Sequence, residues 1–522
     1  MEETTSGNHA ADAAQYDSPY EDRVAALARK RFGIPYVYPW QRLVIANILD
    51  AAHASRDEER TDEDGALRGQ QIVLLPTGAG KSLCFQLPAL ILPGLTVVVY
   101  PLLALMGDQL RRLSESRIPT VIFRGGQDGR ERNAAFARLE GTDGKEPARL
   151  AIVNPEILAN RQIIDRIAGL GVSHMAIDEA HCVSEWGDSF RPAYLECGRY
   201  VERIKPLACT AFTATASPPV LTRVADVLFG GKAHLVRGES DRPNIRYRVI
   251  PCISKEAEIV RQVCEATRPA VVFCATRGGA EKTALLIREI LGDPHVRFYH
   301  AALTRAEKDR VEAWFHGHDG AVLTTTCAWG MGVDKKNVRT VIHRDPPPTA
   351  EAYIQEAGRG GRDGLNAQAI LLWSTEDKRK IEAKVPAERD RSRVLARFAE
   401  SGECRREVLL EALGDPKAGA GAGGERMVCS GCDVCDGDAI TMPDESWLMS
   451  DFIARNDGRY GAGQAASLLA EAGNAASTDG RGTFLWRTQD FVEAADELVR
   501  TGRLRVTRRW PARGRLSVGK KG

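Results

Sequence analysis

QIVLLPTGAGKS, residues 71–82, sets an apolar, β-branched run directly against a glycine-bearing turn that ends in lysine and serine. Strand, turn and then a helical stretch is the local order that a phosphate-binding loop requires. Within the loop that Thr77 enters, Gly78 and Gly80 let backbone amides turn inward on a polyphosphate. Lys81 offers a point charge to the outer phosphates, and Ser82 can hold Mg²⁺. Leu75 stands where such a loop usually opens with glycine.

A second element about a hundred residues on answers the first. HMAIDE (174–179) is an apolar strand that closes on Asp178-Glu179, followed by Ala180 and His181. A carboxylate at the C-terminal end of a parallel strand sits beside the phosphate loop. Asp178 is therefore the expected Mg²⁺ ligand, and Glu179 the group that orients or deprotonates the attacking water. Around these two elements, TVVVYP (96–101), LAIVNP (150–155) and LACTAFTAT (207–215) alternate with helical stretches, which predicts a doubly covered parallel sheet. A second series follows: RYRVIP, AVVFCAT, VRFYHA, GAVLTTT, VRTVIHRD and AQAILLWS, from about residue 245 to residue 374. The chain reads as two α/β lobes in tandem, joined near Glu239 to Asn244.

The remaining composition bounds the rest. A length of 522 residues, 43% hydrophobic and 27% charged, fits a globular chain of several domains. The net charge of +1 selects no partner, but no acidic residue follows Glu497 while Arg500, Arg503, Arg505, Arg508, Arg509, Arg513, Arg515, Lys520 and Lys521 do. Such a basic end is either solvated or set against a polyanion. The polar N-terminus has no apolar core of a signal peptide, so a reducing, cytoplasmic compartment is expected and the twelve cysteines are free thiols or metal ligands. Leu87 to Met106 is uncharged but broken by Pro88, Pro93, Gly94 and Pro101, and reads as a helix end, a turn and a buried strand. Residues 55–67 are an acidic insertion, 386–412 a charged helical stretch, and 417–424 a flexible loop. Residues 445–510 hold helices followed by a basic strand, the order of a small winged helix.

MVCSGCDVCDG (427–437) places Cys429, Cys432 and Cys435 at a spacing of three. A disulfide suits the compartment badly, and a redox pair normally opens a helix in a small α/β domain. Zinc wants four thiolates, and the nearest upstream candidate is Cys404 in ECRREVLLE. Four protein ligands leave no open coordination position, which makes the metal a scaffold.

PTGAGKS, DEAH and QEAGRGGRDG (355–364) together resemble superfamily two helicases, and HCVSEWGDSFRPAY (181–194) resembles specifically the RecQ family of DNA helicases. The resemblance covers residues 30 to 437. It implies two tandem RecA-like parallel-sheet lobes followed by a helical zinc-binding module and a small winged-helix-like C-terminal region. The expected boundaries are a tail over 1–21, lobe 1 over 22–238, lobe 2 over 239–385, the zinc module over 386–440 and the winged helix with its basic tail over 441–522. It also implies an aromatic-rich loop in which Trp186, Phe190, Arg191 and Tyr194 sense single-stranded DNA; aromatic stacking on unpaired bases is worth roughly 1–3 kcal/mol each.

Residues 101–110 resemble motif Ia, Thr213 and Thr215 fall in motif III, and RFGIPYVYPWQ (31–41) resembles the adenine-reading motif 0. There Gln41 reads the base, and Tyr38 stands where the family usually has arginine. Arg310 belongs to the segment after motif IV, and Gly330, Gly332 and Asp334 to motif V. In the 355–364 stretch, Gly358, Gly360 and Gly361 allow a tight turn that aims Arg359 and Arg362 at ATP on the other lobe, with Gln355 in support. Arg362 is the expected finger. The cysteine pattern matches the family's zinc site with the same four residues.

The implied activity is ATP-driven 3′ to 5′ travel on single-stranded DNA with duplex unwinding, in DNA repair or recombination, by a monomeric motor using ATP, Mg²⁺ and Zn²⁺. The alternatives are a DNA-stimulated translocase that unwinds little, and a zinc-containing DNA-binding protein with no motor.

Overall fold

The computed structural model describes residues 21–34, 36–54, 69–75, 80–101, 118–185, 192–238, 241–327, 335–384, 386–415, 428–478, 485–508 and 513–519. Thr77, Gly78, Trp186, Phe190, Arg191, Gly330, Gly332, Asp334, the acidic insertion, most of 101–110 and the 417–424 loop lie outside these residues.

Lobe 1 is a seven-stranded parallel sheet. Its strands are β1 (Gln70–Leu74), β2 (Leu95–Val99), β3 (Thr120–Phe123), β4 (Leu150–Val153), β5 (Val172–Ile177), β6 (Ala208–Thr213) and β7 (His234–Arg237), in the order β3-β4-β2-β5-β6-β1-β7. Alternate residues feed the two faces. Ile72, Leu74, Val97 and Val99 join one apolar cluster, and Val73, Leu75, Val98 and Tyr100 the other. Burial on both faces is why the central strands read as unbroken apolar runs.

Lobe 2 repeats the plan with β8 (Ile245–Pro251), β9 (Ala270–Phe273), β10 (Val296–Tyr299), β11 (Val322–Thr325), β12 (Thr340–His343) and β13 (Ala367–Trp373), ordered β10-β11-β9-β12-β13-β8 and again parallel. All six are the runs predicted from the sequence. The sequence reading did not contain β3 and β7, for a physical reason. Both are four-residue edge strands, half exposed, and HLVR in β7 lacks a continuous apolar signal.

Behind lobe 2, the predicted helical stretch is two helices, Pro386–Glu400 and Arg405–Ala412, with Cys404 capping the second. The C-terminal region has helices Asp444–Arg455, Ala462–Thr478 and Thr488–Arg500, then an antiparallel pair, β14 (Leu504–Val506) and β15 (Leu516–Val518). A bridge from Gly461 to Arg515 adds a third extended segment, which completes winged-helix order. This unit is fastened to lobe 2: the Glu445 carboxylate accepts the N–H groups of Ile253 (3.3 Å) and Ser254 (2.9 Å), and the Ser254 hydroxyl donates to the Leu485 carbonyl at 2.6 Å.

Candidate functional site

The end of β1 and the start of helix Lys81–Ile91 build the phosphate-binding corner. Leu75 prolongs β1 by donating its N–H to the Thr213 carbonyl at 3.0 Å. Gly80 precedes the helix at φ +78, a left-handed backbone that favours glycine. A Cβ there would lie 2.6 Å from Gln41 Nε2, because the buried Gln41 side chain reaches the Gly80 carbonyl at 3.5 Å. Lys81 and Ser82 open the helix, where first-turn N–H groups and the positive dipole end face an anion. The Gln41 Oε1 accepts the Tyr38 N–H at 2.9 Å, so one amide ties the 36–41 segment to the glycine that opens helix Lys81–Ile91. The half-exposed Tyr38 ring lies parallel to Trp40, centroids 4.6 Å apart and 6° between planes. A π-face thus stands where the family's motif has a guanidinium.

Asp178 follows β5 and donates its N–H to the Val99 carbonyl at 3.0 Å. Burial, and then the neighbouring charge of Glu179, raise its carboxyl to about 6. Glu179 adopts φ +51, a conformation that costs a non-glycine residue on the order of 1–3 kcal/mol and persists only where the surroundings impose it. Burial pushes its carboxyl up as well, yet Lys81, His181, Arg359 and Arg362 together hold it below the ordinary range. Two adjacent carboxyls are thereby driven apart in acidity, which separates a cation-binding or proton-holding group from an ionised base. Hard oxygen donors next to a phosphate-binding lysine fit Mg²⁺.

The Thr213 hydroxyl donates to the Thr215 carbonyl at 3.1 Å, so its oxygen is left to receive a proton from His181 Nδ1, also 3.1 Å away. That assigns the ring proton to Nδ1, which lies 3.4 Å from Glu179 Oε2. Thr213, bonded to the Thr215 carbonyl, is therefore in contact with the Asp178-Glu179 segment through His181. Tyr194 is not where the sequence reading put it. Its side chain is fully buried and its hydroxyl donates to the Asp178 carbonyl at 3.0 Å. A ring with no exposed face cannot stack on a base, and this one instead fastens its own segment to the backbone of Asp178.

Lobe 2 presents the turn 358–361 at the end of helix Ala350–Ala357, which carries Gln355 in its last turn. Arg359 is buried and Arg362 half-buried, and both act electrostatically on Glu179 of lobe 1. The structure therefore brings Lys81, Asp178, Glu179, Arg359 and Arg362 to one cleft. Arg310 is elsewhere, exposed on helix Arg305–Gly317 with its Nε on the Ala306 carbonyl at 3.3 Å. Two residues that the sequence reading missed hold the turn. Arg242 donates to the carbonyls of Gly358 (3.1 Å), Gly360 (3.1 Å) and Gly361 (3.0 Å). Asn244 donates to those of Gly361 and Leu365, both at 2.8 Å.

Cys404, Cys429, Cys432 and Cys435 converge, with all four sulfur atoms within 4.8 Å of one another. Four sulfurs about a tetrahedral Zn²⁺ at Zn–S 2.3 Å would be roughly 3.8 Å apart, so the donor set fits that ion. Backbone N–H groups of Gly431 and Cys435 already point at Cys429 and Cys432 sulfur, both at 3.4 Å, as thiolates require. A hydrogen bond from Cys404 lowers the Cys432 thiol. The cluster is locked onto β8: Cys432 bridges Tyr247, and the buried Asp433 carboxylate accepts Val249 N–H at 2.8 Å and Arg405 Nε at 2.9 Å. Arg406, 1% exposed, binds Asp241 and the carbonyls of Arg242 (3.1 Å) and Ile245 (2.6 Å). Arg405 and Arg406 were legible in principle. Two cations in the first turn of a helix oppose its dipole and call for partners elsewhere.

Two parallel-sheet lobes that each supply charge to one cleft define a helicase-type ATPase fold. In agreement, the DEAD/DEAH box helicase family model matches residues 38–224 and the helicase conserved C-terminal domain model residues 255–364. The chain is 31% identical over 452 residues to the ATP-dependent DNA helicase RecQ of Bacillus subtilis, covering 82% of this chain and 73% of that protein. It is 34% identical over 384 residues to RecQ of Pasteurella multocida, covering 71% of this chain and 58% of that one. The chain belongs to the RecQ family. It spans less than two thirds of the length of the Pasteurella relative. The crystal structure of the DUF1998 helicase MrfA bound to DNA shares the fold, with a TM-score of 0.55 at 17% identity over 96% of this chain and 63% of that one. Among the described residues no helix is long and apolar enough to cross a membrane.

Proposed function

We propose that the chain is an ATP-dependent DNA helicase that moves 3′ to 5′ along single-stranded DNA. The observation that supports this reading is that Lys81 of lobe 1 and Arg359 and Arg362 of lobe 2 all act on Glu179, the convergence of charge that attack on a γ-phosphate would need. Lys81 binds the outer phosphates, Gln41 and the Tyr38 face receive the base, and ionised Glu179 takes the proton of the attacking water. Arg362, supported by Arg359 and Gln355, stabilises charge on the transferring phosphoryl group, an effect worth roughly 10³–10⁵ in rate in related systems. Asp178 and Ser82 would hold Mg²⁺, which would supply neutralising charge to the phosphates. ATP binding favours closed lobes and product release open ones, and alternating grip on one strand gives stepping.

Trp186, Phe190 and Arg191 supply the single-strand contacts, and their loop ends at Tyr194 on the Asp178 backbone. That junction gives strand binding a short mechanical path to the metal site. Zn²⁺ on Cys404, Cys429, Cys432 and Cys435 is structural. Duplex contact by the winged helix falls to the hairpin, with Arg503, Arg505, Arg508, Arg513 and Arg515. Helix Thr488–Arg500, in the position of a recognition helix, carries Asp490, Glu493, Asp496 and Glu497 and repels phosphate.

The test is ATP turnover with and without single-stranded DNA, together with strand displacement on duplexes carrying a 3′ or a 5′ tail. DNA-stimulated turnover that Lys81→Ala abolishes, and displacement from 3′ tails, are expected. Stimulation without displacement would leave a translocase, and no stimulation by any DNA would refute the reading.

A further inference from the structure

We infer that Arg242 is a positioning residue for hydrolysis: it sets the turn that aims Arg359 and Arg362, and the four-thiol module sets Arg242 in turn. The inference rests on the ATPase reading above. Arg242 lies in the segment joining the lobes, outside the predicted motifs, yet its guanidinium spans three carbonyls of the turn, those of Gly358, Gly360 and Gly361. Those carbonyls flank Arg359 and directly precede Arg362. A planar fork with five donors can hold three carbonyls in one geometry, and a lysine ammonium cannot reproduce it.

The opposite side of the turn is tied to the chain leaving motif V, by Gly361 N–H to the Val338 carbonyl (2.8 Å) and Asp363 N–H to the Lys336 carbonyl (3.2 Å). Gly361 is at φ +56, and a Cβ there would meet both Asn244 Nδ2 and the Leu365 carbonyl at 2.4 Å. The turn is therefore clamped on both sides with no slack. Arg242 is itself held from behind. Its carbonyl accepts from Arg406, whose guanidinium also takes Asp241 and the Ile245 carbonyl. Arg406 is two residues from Cys404, on the helix that Cys404 caps. The path from the thiol cluster to the arginine fingers thus runs through two guanidinium groups and backbone.

This arrangement predicts a kinetic signature. A finger displaced by about 1 Å loses transition-state stabilisation at a cost of roughly 100-fold in rate without losing ground-state binding. In the full-length protein, Arg242→Ala should lower DNA-stimulated kcat roughly 10- to 100-fold, with KM for ATP and single-strand affinity within about threefold of the parent. Arg242 has no contact of its own with ATP in this reading, so adding Arg242→Ala to the Arg359→Ala/Arg362→Ala variant should make it no slower than that variant alone. Zinc content and the melting transition are followed in parallel.

If the alanine variant melts early or loses metal, Arg242→Lys, which keeps the charge and the stem, is taken through the same cycle. Multiplicative losses in the cycle, or an unchanged kcat in a variant that keeps its fold, would overturn the inference while leaving the ATPase assignment standing. A parent protein with no DNA-stimulated turnover would instead overturn the assignment on which it rests.

Discussion

Replacing Asp178 by asparagine separates the stability of lobe 1 from its chemistry. Burial and Glu179 move the Asp178 carboxyl from its ordinary 3.8 to about 6, which corresponds to about 3 kcal/mol against the charged form. The folded-state value is raised, so the stabilisation that comes with holding the proton is fully present below pH 3.8 and is lost as pH rises through about 6. Without nucleotide or metal, the wild-type protein at pH 8 bears that cost and Asp178→Asn does not. The amide oxygen can still accept the Glu179 N–H, now 3.0 Å from Oδ1, and the Tyr194 bond goes to backbone and is untouched. The variant should melt higher at pH 8 by several degrees, since about 1 kcal/mol moves a domain of this size by roughly 2–4 °C. The gap should close as pH falls toward 4. Mg²⁺-ATP should then stabilise the wild type and not the variant, whose turnover is lost. Scanning calorimetry at pH 4.5 and pH 8, with and without Mg²⁺-ATP, reads all of this. A variant no more stable than wild type at pH 8, or a gap independent of pH, would refute the account of Asp178.

Gly80→Ala forces a left-handed alanine, at about 1–2 kcal/mol, and pushes Gln41 from the Gly80 carbonyl. Nucleotide affinity should fall roughly 5- to 30-fold in an equilibrium binding titration, and unchanged affinity would contradict the close approach. Tyr194→Phe should cost about 1 kcal/mol of stability while leaving single-strand affinity at the wild-type level by anisotropy; a clear loss of DNA binding would restore Tyr194 to the DNA contacts. Cys432→Ser removes a fully buried sulfur of the four-thiol cluster. Metal released on thiol modification should drop to background, proteolysis should open residues 400–440, and kcat should fall along with that of the Arg242 variant. Full metal content in that variant would refute the four-ligand site.

The central strands were legible in the sequence because both faces of each sheet are covered, and continuous burial writes continuous apolar runs. The phosphate loop, Asp178-Glu179 and the 355–364 turn were legible because each joins a strand or helix end to residues whose chemistry has few other uses there. Cys404 was legible from ligand number: three cysteines at metal spacing require a fourth. Tyr194 was misplaced because an aromatic residue in an aromatic loop carries no mark of which way its ring turns. Only the packing beneath Asp178 shows that it faces inward. Arg242 and Asn244 were invisible for a related reason: both act on backbone carbonyls, and a carbonyl leaves no trace in the identity of the residue that bears it.

The same holds for the far end of the cysteine-capped helix. Helix Arg405–Ala412 starts on lobe 2, through Arg406, but ends on lobe 1. Arg237 at the end of β7 donates to the carbonyls of Gly414 (2.5 Å) and Leu413 (3.4 Å). Gly414, at φ +63, packs so closely on Pro218 that a Cβ would lie 2.6 Å from its ring. Pro218 begins the helix that follows Thr213 and Thr215, the threonine pair joined to the Asp178-Glu179 segment through His181. Among the described residues the lobes therefore meet at the cleft, where Arg359 and Arg362 act on Glu179, and again behind it through one helix rooted in the thiol cluster. Any opening of the cleft must either carry that helix along with lobe 1 or break the Arg237 contact, so lobe separation cannot change without loading the four-thiol module.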